Sequence, residues 1–137
     1  MGEIIQVTWN DYPGKGRVTE PFGLLCKDVI ERTVSDGIQP ANYRIGRLIG
    51  DKLSIIYVGR VDERQDRGLK DRLIEHIGEW PGNLYFNWNN EADVEDAYYR
   101  ECEDYHKWLE YEGRLENDIH PRKPNGMNDL DCPICGN

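Results

Sequence analysis

The chain has 137 residues, a formal net charge of −9 and 38% apolar residues, with a mean hydropathy of −0.78; this is the size of one domain with one core. No run approaches the roughly 18 apolar residues of a membrane span, and Met1 to Val7 lacks a basic region followed by an apolar one, so neither a span nor a signal peptide is expected and a cytoplasmic location is the default. The acidity argues against a protein that coats DNA, and four cysteines are few for a disulfide scaffold.

Residues 3–9 (EIIQVTW) read as a strand, and 10–16 as a turn by composition. Pro21 is expected to open a helix carrying Phe22, Leu24, Leu25, Val29 and Ile30, with Cys26 as a small core residue. Residues 43–49 and 53–59 are β-rich runs joined by Gly50-Asp51-Lys52, a hairpin signal that brings Tyr43 near Tyr57. The polar stretch from Gly59 to Gly68 reads as a solvated loop. From Leu69 the apolar residues Leu69, Leu73, Ile74 and Ile77 form a helical stripe ended by Gly78. Arg72 and His76, four apart, then share one helix face. Leu84 to Trp88 is a third strand, introduced by Pro81-Gly82-Asn83. Asn89-Asn90 is expected to cap a long helix from about Glu91 to Glu112, with Asp93 and Glu95 in its first turn. Its apolar stripe is Val94, Ala97, Tyr98, Cys102, Tyr105, Trp108 and Leu109.

Charge is unevenly spread. Residues 40–78 hold eight Lys and Arg against six acids, whereas residues 79–118 hold three against twelve. The basic portion contains the polar cluster of Tyr57, Arg72 and His76, an arrangement compatible with an anionic substrate.

Asn42-Tyr43-Arg44-Ile45, Tyr57-Val58-Gly59, and Arg72 with His76 four residues on follow one another in order. Together they resemble the signature of the GIY-YIG nuclease superfamily over residues 41–107. Two departures are visible: Ala41-Asn42 stands where the family has Gly-Ile, and Asp104 to Trp108 continues the last helix without the family's Pro and Asn. Tyr43 and Tyr57 stand fourteen apart, a longer spacing than the family's usual one, which a longer hairpin absorbs.

The resemblance implies an α/β fold of the α+β type, with a small three-stranded antiparallel sheet flanked by helices. Residues 40–117 would be the catalytic core, 1–39 an N-terminal extension packed on it, and 118–137 a tail. It further implies a metal-dependent endonuclease acting on nucleic acid, DNA in preference to RNA. Tyr43 or Tyr57 would sit near the attacking water, with His76 as a further base or as a tyrosine's partner. Arg72 and Arg60 would hold phosphate. Glu95 would be the ligand for Mg²⁺ or Mn²⁺, with Glu91 as the competing carboxylate. A catalytically inactive module of the same fold, binding nucleic acid or protein, is the alternative, followed by a small zinc-stabilised interaction protein with no relation to the family.

The tail closes on Cys132-Pro133-Ile134-Cys135-Gly136. Two thiolates on a tight turn make half of a tetrahedral site. Cys102 and His106, four apart on the long helix, are expected to complete a structural Zn²⁺ site with Cys132 and Cys135; His120 is the alternative to His106. A thiol oxidoreductase is disfavoured, because redox pairs of this spacing open a helix after a strand.

Overall fold

The computed structural model describes residues 2–10, 16–37, 39–62, 68–117 and 119–137. The core of the expected turn (11–15) and half of the expected polar loop (63–67) lie outside these; of the rest of that loop, Gly59, Arg60 and Val61 are strand and Asp62 is buried, not solvated as expected.

The chain is α+β. Strands β1 (Ile4–Asn10) and β2 (Arg17–Leu24) precede helix α1 (Lys27–Thr33); β3 (Ala41–Ile49) and β4 (Lys52–Val61) form a hairpin; α2 (Leu69–Glu75), β5 (Asn83–Asn90) and α3 (Val94–Glu112) follow. The sheet has five strands in the order β1-β2-β5-β3-β4, and all its pairings are antiparallel. The expected three-stranded sheet is not what forms: β5-β3-β4 is part of a five-stranded sheet, which the N-terminal hairpin joins through two β2–β5 pairs, Gly23 with Phe86 and Leu24 with Tyr85.

Pro21 does not open a helix; it lies inside β2, opposite Gln6. The alternation of Val18, Glu20 and Phe22 has the two-residue period of a strand. The missing N–H costs little there, because the ladder to β5 begins only beyond it, at Gly23. The helix starts later, after Cys26, and buries Val29 and Ile30.

In the β3–β4 hairpin Ile49 pairs with Lys52, and Gly50 makes the turn at φ +64°. The register shifts between Ile45 and Gly46, leaving Ile56 without a partner opposite. The bulge turns Ile56 and Tyr57 toward the same face, and both pack in the core cluster formed with Val29, Ile30 and Leu73 from α1 and α2. Ile55 and Val58 face the other way, into the cluster with Trp9, Phe22, Tyr85 and Trp108.

Helix α3 starts later than expected. Asp93, not Asn89-Asn90, is the N-cap, its Oδ1 accepting the Asp96 N–H at 2.8 Å, while Asn89 and Asn90 still belong to β5. Its inward stripe is Val94, Ala97, Tyr98, Glu101, Cys102, Asp104 and Trp108, so two carboxylates stand among the apolar positions. Among the described residues no helix is long and apolar enough to cross a membrane.

Candidate active site and tail cluster

Strand β4 is the outer edge of the sheet, and what covers that edge makes the site. Glu116 N–H donates to Ile56 O at 2.5 Å. Asn117 bonds Val58 twice: its Oδ1 accepts the Val58 N–H at 3.1 Å, and its Nδ2 donates to Val58 O at 2.7 Å. The Asn117 side chain therefore occupies backbone groups that an edge strand otherwise presents to water. A cleft of about 650 Å³ opens here, lined by Tyr43, Tyr57, Arg60, Arg72 and Glu101, with residues 119–122 as a further wall.

Gly59 lies opposite Tyr43 in the hairpin, and a Cβ at that position would collide with the Tyr43 ring. The bare backbone is what lets the ring settle there. Tyr43 and Tyr57 stack with centroids 6.1 Å apart, so the hairpin expectation holds. Tyr43 Oη lies 2.8 Å from His76 Nε2, and His76 Nδ1 lies 3.1 Å from Glu79 Oε1. A carboxylate accepts only, so Nδ1 carries the hydrogen and Nε2 is left to accept the Tyr43 O–H. His76 is packed between Tyr57 and Trp80, at 4.9 and 5.1 Å, and is 4% exposed. Burial pushes its pKa below the usual 6.5, against the pull of Glu79. Burial also raises both tyrosines, Tyr43 strongly; nearby Arg72 works in the opposite direction on each.

Arg72 is half-buried at the cleft, its Nη1 on Glu75 at 3.0 Å. Arg60 crosses the edge toward α3: its Nη1 meets Glu101 Oε1 at 2.5 Å, its Nε meets Asp62 at 3.4 Å, and its guanidinium lies 5.4 Å from the Tyr98 ring centroid. Burial raises the Glu101 carboxyl above its ordinary range, with Arg60 pulling it down.

The expected carboxylate does not reach this place. Glu95 sits in the first turn of α3, where its Oε1 accepts the Tyr99 O–H at 3.0 Å; neither it nor Glu91 lines the cleft. The carboxylate that α3 delivers is Glu101, nearly two turns further on. The signal was in the sequence: Glu101 lies three and four residues from Tyr98 and Ala97, on the stripe that faces the sheet.

The second cluster is in the tail. His106, His120, Cys132 and Cys135 each offer a ligand atom, and these atoms lie within 4.8 Å of one another. This is a set able to hold a metal ion, with one change from expectation: His120 takes the place of Cys102. Cys102 instead packs with Tyr98, Leu130 and Cys132 in an apolar cluster, where burial pushes its thiol up to about 12. Burial alone would also raise Cys132, but backbone N–H groups of Cys135 and Ile134, together with His120, bring it down to about 6.

Compared with known protein families, with curated proteins and with solved structures, the chain matches none.

Proposed function

We propose that the chain is a metal-dependent endonuclease of the GIY-YIG type, hydrolysing phosphodiester bonds of nucleic acid, DNA in preference to RNA. The observation that carries this reading is convergence. Tyr43 of β3, Tyr57 and Arg60 of β4, Arg72 of α2 and Glu101 of α3 reach one cleft, although they are spread over 59 positions of sequence. Asn117 supports it further, since it supplies after the helix the loop-binding Asn that the helix itself lacks.

Hydrolysis requires a water oxygen to bond phosphorus as the ester P–O bond breaks, with charge accumulating on the non-bridging oxygens. On this reading Arg72 takes that charge; burial works against its charged form, and the tyrosines beside it outweigh this and keep its pKa above the ordinary value. The water's proton has a route out: the Tyr43 oxygen, then His76 Nε2, with Glu79 holding the Nδ1–H and fixing the tautomer. On this reading His76 acts as the tyrosine's partner rather than as a base in contact with water. Glu101 suits Mg²⁺ or Mn²⁺, which need only one or two carboxylates beside substrate phosphate, and such an ion supplies Lewis-acid stabilisation of the phosphoryl oxygens. Arg60, now paired with Glu101, is close enough to exchange that carboxylate for a phosphate. The softer Cys and His set of the tail suits Zn²⁺ instead.

The test is nicking of supercoiled plasmid and cleavage of single-stranded DNA in Mg²⁺ or Mn²⁺. Glu101→Gln is expected to lose about 100-fold or more, with Glu95→Gln close to the parent. Equal nicking by parent and Glu101→Gln overturns the assignment. A silent nucleic-acid-binding module is the second reading. It is favoured by the ion pairs that neutralise Arg60 without any substrate, and binding without turnover in either metal selects it.

A further inference from the structure

We propose that the His106, His120, Cys132 and Cys135 cluster is a Zn²⁺ site that builds one wall of the cleft, so that zinc occupancy sets whether the cleft is formed. The inference rests on the zinc reading of the tail above; the nuclease reading can fail without it.

Four observations carry it. The first is the ligand set itself. Two Cys and two His make a closed structural zinc site, and tetrahedral bonds of 2.0 to 2.3 Å place ligand atoms roughly 3.3 to 3.8 Å apart. A span of 4.8 Å needs only about 1 Å of closing to reach that geometry. The second is an orphan: His106 Nε2 is buried and has no hydrogen-bond partner among the described residues. A buried imidazole nitrogen is rarely left so, and a metal bond accounts for it. The third is tautomer. His120 Nδ1 lies 3.0 Å from Pro121 O, a carbonyl that can only accept, so Nε2 holds a lone pair; it stands 3.5 Å from Cys135 Sγ. This is the outer-shell hydrogen bond that orients a ligating histidine.

The fourth observation links the two sites. His120 is both a cluster member and a cleft-lining residue, between Ile119 and Pro121, which also line the cleft. Three residues earlier, Asn117 bonds Val58 beside Gly59, under Tyr43. No helix or strand is present among the described residues after Glu112, and the tail's buried apolar residues among these are few, Leu130 and Cys132 in one small cluster with Pro121 and Pro124 besides. A segment with so little core needs a cross-link to hold one conformation. Zinc joins α3, through His106, to both ends of the tail.

The experiment uses the full chain purified without chelator. Metal analysis is expected to give one zinc per chain, and the Co²⁺-exchanged protein the visible bands of a tetrahedral thiolate site. Cys135→Ser, at an exposed position outside the cleft, is expected to weaken zinc binding by more than about 100-fold, beyond the loss of an outer-shell partner. Amide hydrogen exchange then reads the coupling without reference to activity. On zinc removal, the N–H groups of Val58 and Glu116 are expected to exchange at least about tenfold faster, with the β3–β5 ladder unchanged. Substoichiometric zinc, or full zinc retention in Cys135→Ser, overturns the site. One zinc with unchanged exchange at Val58 and Glu116 overturns the coupling. If exchange responds to zinc but neither form cleaves DNA in Mg²⁺ or Mn²⁺, the inference stands and the nuclease reading falls.

Discussion

Tyr43 has no exposed surface by residue area and yet reaches the cleft wall, so its hydroxyl exchanges protons through what it touches. That contact is His76 Nε2, and the histidine's charge state then controls the pair. Burial lowers the folded pKa of His76 below 6.5, so the neutral, proton-accepting form fills at ordinary pH. Cleavage is expected to be flat above about pH 6.5 and to fall as acid protonates Nε2, with a slope near one per pH unit. His76→Gln should lower the plateau and remove that limb, which a pH–rate profile of both proteins checks. Stability follows the same sign. Because the unfolded chain binds this proton more readily, the contribution of neutral His76 is complete above 6.5 and is lost as pH falls through the depressed folded value. Melting temperatures between pH 7 and pH 5 should therefore drop more steeply in the parent than in His76→Gln.

At the scale of elements, α3 is held to the sheet by buried charge as well as by apolar contact. Arg44 of β3 and Asp104 of α3 are 3% and 4% exposed and meet at 3.2 Å, with Asn87 Oδ1 accepting a further Arg44 N–H at 3.2 Å. Removing Asp104 leaves the buried Arg44 with only the more distant and more exposed Glu20, 3.9 Å away, as counter-charge. Asp104→Ala is expected to cost about 3–5 kcal/mol in chemical denaturation, whereas Arg44→Met with Asp104→Leu should come out near neutral or more stable. A cost under about 1 kcal/mol for the single change would mean that water or Glu20 compensates the Arg44 charge. The same helix shows what was legible beforehand. Its existence, its length and the i, i+3, i+4 stripe were readable from residues 94–109, and so was the β3–β4 hairpin, because periodicity reports a buried face directly. Which acid enters the cleft was not settled that way. The family resemblance puts the metal-binding carboxylate early in the helix, which points to Glu95, and nothing in it points to Glu101. Pro21 misled for a different reason: a proline fits a helix start and an unpaired strand position equally well, and only the short β2–β5 ladder separates the two. His120, in a tail without periodicity, carried no local signal beyond its residue type.

Across the whole molecule, the N-terminal hairpin joins β5, β3 and β4 in one five-stranded sheet, and the acidic α3 region stands beside a cleft whose cations are few. This balance determines how the protein can hold a polyanion. Among the described residues the arginines lining the cleft are Arg60, Arg72 and Arg122, against a chain charge of −9. Each phosphate neutralised on duplex DNA contributes about −0.9 to the slope of log K against log salt, so three contacts give about −2.7. Filter or fluorescence titration of Glu101→Gln, expected on the nuclease reading to bind without cutting, should return a slope of that size. Arg72→Ala should make it shallower by about one contact's worth. A slope several times steeper would require a basic surface outside this cleft, and the acidity of α3 argues against one. On the proposed nuclease reading, such a shallow slope would leave affinity to contacts made at the scissile phosphate itself. Binding should therefore tighten when Mg²⁺ or Mn²⁺ is added to the parent protein with an uncleavable phosphorothioate substrate, and should do so less in Glu101→Gln. That difference would place the metal's effect at Glu101 rather than on the nucleic acid alone.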